Sequence, residues 1–326
     1  RFPVTAPRKW DPEHPYLYRL TCRLMDGNRV MQTSVRRVGF RQIEVRGNQV
    51  FVNNQPIKLR GACHHEVMPL RGRSVNNDMW RRDVELFREG NVNYLRTSHY
   101  PPDEALLEAC DELGMFVEVE APFCWAHEAK VPDALRQDIL VNQHLAMVNL
   151  NRSHPSVLMW SMGNESNLYA EYFKEAAGLV KQIDPTRPRI FSQWGPDADQ
   201  GELEVTNHHY PGPEGPDKYR NYSRPVTFDE FCHLNAYNRD GWSTTSGQKK
   251  WETKGSKSSS KEGDVKYESG MATGYKLDGT LAAETLNGEG PTVDTENMKA
   301  TDFDRQFSAQ RVIDDYEDND MPLGWF

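Results

Sequence analysis

Seven short apolar runs, separated mostly by segments of helical period, constrain this chain more than any other feature. They are Ile57–Arg60, Val92–Arg96, Met115–Glu120, Ser156–Met162, Arg189–Gln193, Glu204–His208 and Pro225–Phe228. Between them Trp80, Val84 and Phe87 recur at i, i+4, i+7 with Gly90 as a stop, and Leu106, Cys110 and Leu113 repeat the pattern before Gly114. Leu145 and Val148, then Phe173, Ala176 and Val180, mark two longer helices. A strand can return parallel to its predecessor only through a crossover, and a helix is the usual one. Seven such strands in succession suit a closed (β/α)8 TIM barrel better than an open sheet, giving an α/β fold. The eighth strand is not recognisable, so the barrel is expected to be incomplete or closed in another way.

Residues 1–45 have a different period. "YLYRLTCRLMDGNRVMQTSVRRVGFRQIEV" alternates as short strands, with a turn signal at Asp26-Gly27. This predicts the C-terminal strands of an immunoglobulin-like β-sandwich, followed by a catalytic barrel over 46–240. Beyond Asp240 the segment "STTSGQKKWETKGSKSSSKEGD" is polar, rich in Ser, Lys and Gly, and lacks a period. It reads as linker, and 241–326 as a tail outside the barrel pattern.

A chain of 326 residues can bury a large core. Its formal charge of −9 argues against nucleic acid or an anionic membrane surface as partner, because both need a basic footprint. A neutral or cationic small substrate fits better. No apolar run reaches the ~18 residues needed to span a bilayer, and the opening Arg-Phe-Pro-Val does not read as a signal peptide. The lack of an initial Met predicts a fragment or a processed chain. Five scattered cysteines, with no CxxC pair, indicate neither a disulfide framework nor a zinc site. The sequence is compatible with a homo-oligomer and does not define one.

In a barrel, polar residues at the C-terminal strand ends face the active-site mouth. Strand four runs into "WSMGNESN", so Glu165 falls where a catalytic side chain belongs, although an Asn-Glu-Ser turn can also simply cap the following helix. The other strand ends carry "RGACHHE", "RTSHYPP", "EVEAPFCW", "NHHYPG" and "FDEFCH". One His at a strand end is usually structural. So many His, Glu, Asn, Arg and aromatic residues around one rim point to a polar, aromatic-edged pocket suited to a sugar. Glu165 after strand four and Glu230 after strand seven lie across the barrel from one another. They would flank a glycosidic bond, one as nucleophile and the other as proton donor and then base, if their carboxyl groups stand about 5–5.5 Å apart. Asn164 is placed to meet the sugar 2-hydroxyl.

From Arg36 to about Asn238 the sequence resembles glycoside hydrolase family 2, most closely its β-galactosidase branch. The resemblance is carried by "RVGFR", "RGACHHE", "LRTSHYPP", "LGMFVEVEAP", "SHPSVLMWSMGNES" and "FDEFCHLNAYN". It implies a retaining β-glycosidase acting on terminal β-galactosides by double displacement. Glu165 would be the acid/base and Glu230 the nucleophile, with Asn164, His65, Arg96, His99, Tyr210 and His233 as pocket residues. Tyr210 would contact the nucleophile and the region of the ring oxygen. Trp125 and Trp194 are further pocket candidates, either of which could equally pack. A β-glucuronidase or β-mannosidase is the alternative among enzymes, and a catalytically silent composite or truncated chain the alternative outside them.

Two departures from the family pattern carry expectations. Metal-dependent β-galactosidases hold magnesium through a Glu-x-His after strand three. Here that stretch is Cys124-Trp125-Ala126, with His127 one residue out of register, so no metal and no other cofactor is expected. The family's Trp-rich eighth strand has no match after Asp240. "DRQFSAQRVIDDYEDNDMPLGW" is instead similar to a barrel opening of family 31 α-glycosidases, and Val312–Tyr316 or Met321–Phe326 would have to fill the gap.

Overall fold

The computed structural model describes residues 3–68, 72–126, 131–209 and 215–230. The chain divides into two compact units. One contains Arg1–His64 and Asn76–Phe231, and the other contains His65–Val75. The tail after residue 240, with the two segments expected to fill the place of an eighth strand, lies outside the described residues.

The first unit opens with the antiparallel hairpin of β1 (Tyr18–Asp26) and β2 (Arg29–Val38). Gly27, at φ +56°, occupies the first central position of the two-residue turn, where a tight hairpin needs a positive φ. A small antiparallel sheet follows: β3 (Ile43–Arg46), β4 (Gln49–Val52) and β5 (Gln55–Pro56). The barrel strands then alternate with helices. β6 (Gly61–His64), α1 (Asn77–Glu89), β7 (Tyr94–Thr97), α2 (Glu104–Leu113) and β8 (Phe116–Glu120) make the first units. Next come α3 (Gln143–Asn151), β9 (Val157–Asn164), α4 (Ala170–Ile183) and β10 (Arg189–Ser192). The last pieces are β11 (Thr206–Asn207), α5 (Gly215–Lys218) and β12 (Val226–Thr227).

Strands β6 to β10 pair in sequence order as one parallel sheet, and β11 pairs with β12, also parallel. Val205 N donating to Arg189 O and His209 N to Gln193 O join the two groups. The described residues thus supply seven parallel barrel strands in the expected order.

The first strand lies four residues further on than the sequence pattern predicts. Ile57 and Leu59 are apolar because they pack on the core at the barrel foot, not because they pair in the sheet. The strand itself is Gly61–His64, and a Cβ on Gly61 would lie 2.4 Å from the Tyr94 carbonyl oxygen, so this edge demands small residues. The third helix, α3, contains both residues that mark it in the sequence, Leu145 and Val148. Its buried stripe is His144, Met147, Val148 and Asn151, and a π-helical turn at Gln137–Asn142 precedes it.

The barrel foot is plugged by Val50 and Val52 of β4. They pack with Trp10 and with Tyr94, Phe116, Met159, Ile190 and Val205, which lie at or near the starts of successive strands. Two arginines then fix the start of β9. Arg41 donates to Pro155 O at 2.8 Å and Val157 O at 2.7 Å, and Arg187 Nε donates to Val157 O at 2.8 Å. Because side chains alternate along a strand, every second residue above that apolar layer returns to the barrel interior. There the chain becomes polar: Tyr94 is followed by Arg96, Phe116 by Glu118 and Glu120, Met159 by Ser161, Ile190 by Ser192, and Val205 by Asn207 and His209.

Candidate active site

The polar residues meet at the C-terminal ends of the strands. Strand β9 delivers Asn164 and Glu165 through a strained turn: Gly163 has φ +140° and Glu165 φ +42°. A positive φ costs a non-glycine residue energy that its surroundings must repay. Glu165 N still pairs with Ser192 O at 2.9 Å, and Asn164 N with Phe123 O at 2.7 Å, so the turn is clamped from both neighbouring elements.

Glu165 is 6% exposed and engaged through both oxygens. Oε2 accepts from Trp125 Nε1 at 2.9 Å, and Oε1 lies 2.8 Å from His209 Nδ1. Glu230, beyond β12, is 3% exposed. Its Oε1 accepts from Arg96 at 2.9 Å, and its Oε2 stands 3.7 Å from the same His209 nitrogen. The facing oxygens of Glu165 and Glu230 lie within 4.8 Å of each other.

Arg96 organises the floor. Besides Glu230, it donates to Glu120 Oε2 at 2.8 Å and to Asn164 Oδ1 at 2.7 Å. Burial works against its charge, but Glu120 and the other surrounding acids lift it well above the ordinary arginine value, so it stays a cation. Glu120 mirrors this: burial would raise it, yet Arg96 and then His99, 2.7 Å from Oε1, hold it below the usual carboxylate range. Beneath lies a second acid pair. Ser192 Oγ reaches Asp229 Oδ2 at 3.0 Å and Glu118 Oε1 at 3.3 Å, and the Tyr94 hydroxyl donates to Glu118. Burial first, then the charge of Asp229, push Glu118 well above the carboxylate range, and burial likewise raises Asp229.

Of the residues expected in the pocket, Glu165, Glu230, Asn164, Arg96, His99 and Trp125 come together in this network. Trp125 bonds directly to Glu165 and does not merely pack. Trp194 follows β10 and is 48% exposed, with no described contact to either carboxylate. His65 belongs to the second compact unit, where its carbonyl accepts from Val67 N. Tyr210 and His233 lie outside the described residues. Sequence reasoning passed over His209, Glu120, Glu118 and Asp229. All but Asp229 could have been found by counting alternate residues upward from Val205 and Phe116.

Cys124, Trp125 and Ala126 occupy the position of the family's magnesium ligands. Cys124 stands 3.5 Å from Asn164 Nδ2, and burial pushes its thiol up to about 12, so it remains a protonated, soft group. Trp125 is committed to Glu165, and Ala126 offers no ligand atom. This donor set does not fit a hard cation that requires oxygen ligands. Glu165, His209 and Glu230 also lie close together, with Glu165 held by Trp125 and His209, and Glu230 held by Arg96.

A parallel barrel plugged at its foot, with two buried glutamates facing each other at its mouth, defines a TIM-barrel protein with a paired-carboxylate site. The model of "Glycosyl hydrolases family 2, TIM barrel domain" matches residues 43–227, and that of "Glycosyl hydrolases family 2" matches residues 1–41. The chain belongs to glycosyl hydrolase family 2. It is 33% identical over 210 residues to a β-galactosidase of Lactococcus lactis subsp. lactis, a match covering 63% of this chain and 21% of that protein. It is 30% identical over 263 residues to a β-glucuronidase of Paenibacillus borealis, covering 70% of this chain and 44% of that one. The crystal structure of a family 2 member from Bacteroides cellulosilyticus superposes with a TM-score of 0.61 at 31% identity, over 71% of this chain and 32% of that one. The chain thus spans less than half the length of these relatives.

Proposed function

We propose that the chain carries the catalytic centre of a retaining β-glycosidase acting on terminal β-D-galactosides. The observation that carries this reading is the approach of the Glu165 and Glu230 oxygens to within 4.8 Å. An inverting enzyme needs room for a water between its carboxyl groups, which sets them about 6.5–9.5 Å apart, whereas a retaining pair stands at about 5–5.5 Å. Glu230, held by the Arg96 guanidinium, attacks the anomeric carbon as Glu165 protonates the departing oxygen. The glycosyl ester on Glu230 is then hydrolysed by a water that Glu165 deprotonates. The net stereochemistry is retention.

A neutral hexose suits the charge of the site. Glu118, Glu120, Glu165, Asp229 and Glu230 crowd the described barrel interior, and Arg96 is already bonded to two of them. A uronate would add another negative charge without a described cation to receive it. The test is hydrolysis of chromogenic aryl β-galactosides, β-glucuronides and β-mannosides by the folded chain. The β-galactoside should have the highest kcat/KM. A faster β-glucuronide would overturn the sugar assignment and leave the chemistry standing, and no turnover of any of them would favour the catalytically silent chain.

A further inference from the structure

We propose that Ser192 and a protonated Glu118 are positioning residues for the two glutamates above them: Glu118 donates to the Ser192 hydroxyl, which donates to Asp229, the chain neighbour of Glu230, and so holds Glu230 opposite Glu165. The proposal rests on the reading of Glu165 and Glu230 above and extends it to the layer beneath them.

Ser192 reaches both sides of the site. It ends β10, and its backbone O accepts from Glu165 N at 2.9 Å. Its Oγ lies 3.0 Å from Asp229 Oδ2, and Asp229 directly precedes Glu230. One residue thus ties the acid/base through its carbonyl and the nucleophile's strand end through its hydroxyl. Cys63 Sγ, 3.5 Å from Asp229 O, adds a contact to the same backbone.

The same hydroxyl oxygen is 3.3 Å from Glu118 Oε1. A hydroxyl has one hydrogen. Ser161, 3.4 Å from Ser192 Oγ, donates its own to Glu120 Oε2 at 2.8 Å. Arg96 donates Nε to Glu120 at 2.8 Å and stands 3.9 Å from Glu118 Oε1, so no described cation is bonded to the lower acid pair. Two buried carboxylates left to share one hydrogen would suffer like-charge repulsion and desolvation together, and a proton on one of them relieves both.

That proton belongs on Glu118. Glu118 is fully buried in β8, whereas Asp229 keeps 8% exposure and also faces Thr227, whose Oγ1 accepts from Asn207 and so has its hydrogen left for Asp229. The Tyr94 hydroxyl has Glu118 Oε2 close by and otherwise only the Met159 sulfur at 4.0 Å, so its hydrogen goes to Oε2. The Glu118 proton therefore lies on Oε1, directed at Ser192 Oγ. Hydrogens then run one way, from Tyr94 to Glu118 to Ser192 to Asp229, and each meets one acceptor. The groups facing Glu118 are Tyr94 and Arg96 of β7, Glu120 of its own strand, Ser192 of β10 and Asp229 beyond β12; burial and then the charge of Asp229 favour its neutral form. A neutral Glu118 also leaves Arg96 to Glu120 and Glu230. The proton stays in place during turnover.

The experiment has a spectroscopic and a kinetic arm, both on the full chain. Infrared spectra at neutral pH, with the glutamate carboxyl carbons isotopically labelled, should show a protonated-acid carbonyl stretch that shifts with the label and disappears in Glu118→Gln. If a folded Glu118→Gln keeps every protonated-acid band of wild type, the placement of the proton is overturned. Glutamine offers the same donor to Ser192 and acceptor to Tyr94, so Glu118→Gln should keep kcat within several-fold of wild type; a large loss in the folded variant would show an ionised Glu118 at work and overturn the proposal. Ser192→Ala should lower kcat on the order of 100-fold, what a misplacement of about 1 Å costs, with KM little changed. The loss should be equal on an alkyl and on the 2,4-dinitrophenyl β-galactoside, because a displaced nucleophile does not distinguish leaving groups. Wild-type kcat in a folded Ser192→Ala, or a loss confined to the alkyl substrate, overturns the positioning role. If Ser192→Ala does not fold, Ser192→Cys, similar in shape but a weak donor, is read by the same pattern. If wild type turns over no β-glycoside, the reading of Glu165 and Glu230 falls, and the infrared arm still decides where the proton lies.

Discussion

Glu230→Gln should abolish turnover, because the amide cannot form the glycosyl ester. Glu165→Ala should spare activated substrates and slow poor leaving groups by about 10²–10⁴. Steady-state assays on the two substrate classes check both. A titrating histidine away from the carboxylates makes a separate prediction for the fold. His144 is buried, donates from Nε2 to Met162 O at 2.9 Å and stacks on Phe123. Burial drives it down to about 4 from an ordinary 6.5. Between those values the unfolded chain takes up a proton that the folded one refuses, so stability falls as the pH drops through the window. The loss is on the order of 3 kcal/mol by pH 4. Urea unfolding across that range should show the slope in wild type and lose most of it in His144→Phe. Glu118 works in the opposite sense. Its folded value is raised, so its contribution is intact at low pH and is lost as the pH climbs above the unfolded carboxylate value of about 4.3. Glu118→Gln should therefore lose less stability than wild type as the pH is raised from about 4.3.

At the level of elements, α2 shows how locally the chain encodes its turns. Asp103 caps it by accepting from Ala105 N at 2.8 Å, and Gly114 ends it at φ +82°. A Cβ on Gly114 would lie 2.0 Å from the Pro12 carbonyl oxygen. Gly114→Ala should cost more than about 2 kcal/mol in denaturant unfolding, since it adds a clash with the backbone to the left-handed penalty. Such stops were plain in the sequence, as were six of the seven barrel strands and four helices, because apolar period and glycine punctuation are local signals. The first strand was misplaced because Ile57 and Leu59 are apolar for a reason only the folded barrel supplies, the layer at its foot. The two glutamates were legible because strand-end motifs surround them. The acid pair beneath them was not, since Glu118 in a buried strand contradicts residue preference and makes sense only once Tyr94, Ser192 and Asp229 converge on it.

For the molecule as a whole, the barrel interior runs from an apolar plug at the foot to a charged mouth in which Arg96 ties β7 to β8, β9 and the residues after β12. Catalysis in this account uses only side chains, so activity should be unchanged by EDTA. A rate rising several-fold with added magnesium would contradict the reading of Cys124-Trp125-Ala126. The most direct test of the central claim is covalent trapping. The folded chain is incubated with a 2-deoxy-2-fluoro-β-galactosyl donor bearing an activated leaving group and analysed by intact-mass and peptide mass spectrometry. The account predicts one fluorosugar per chain, on the peptide containing Glu230, and none in Glu230→Gln. An adduct on another residue, or turnover of the β-galactoside with the α-anomer as first product, would contradict it.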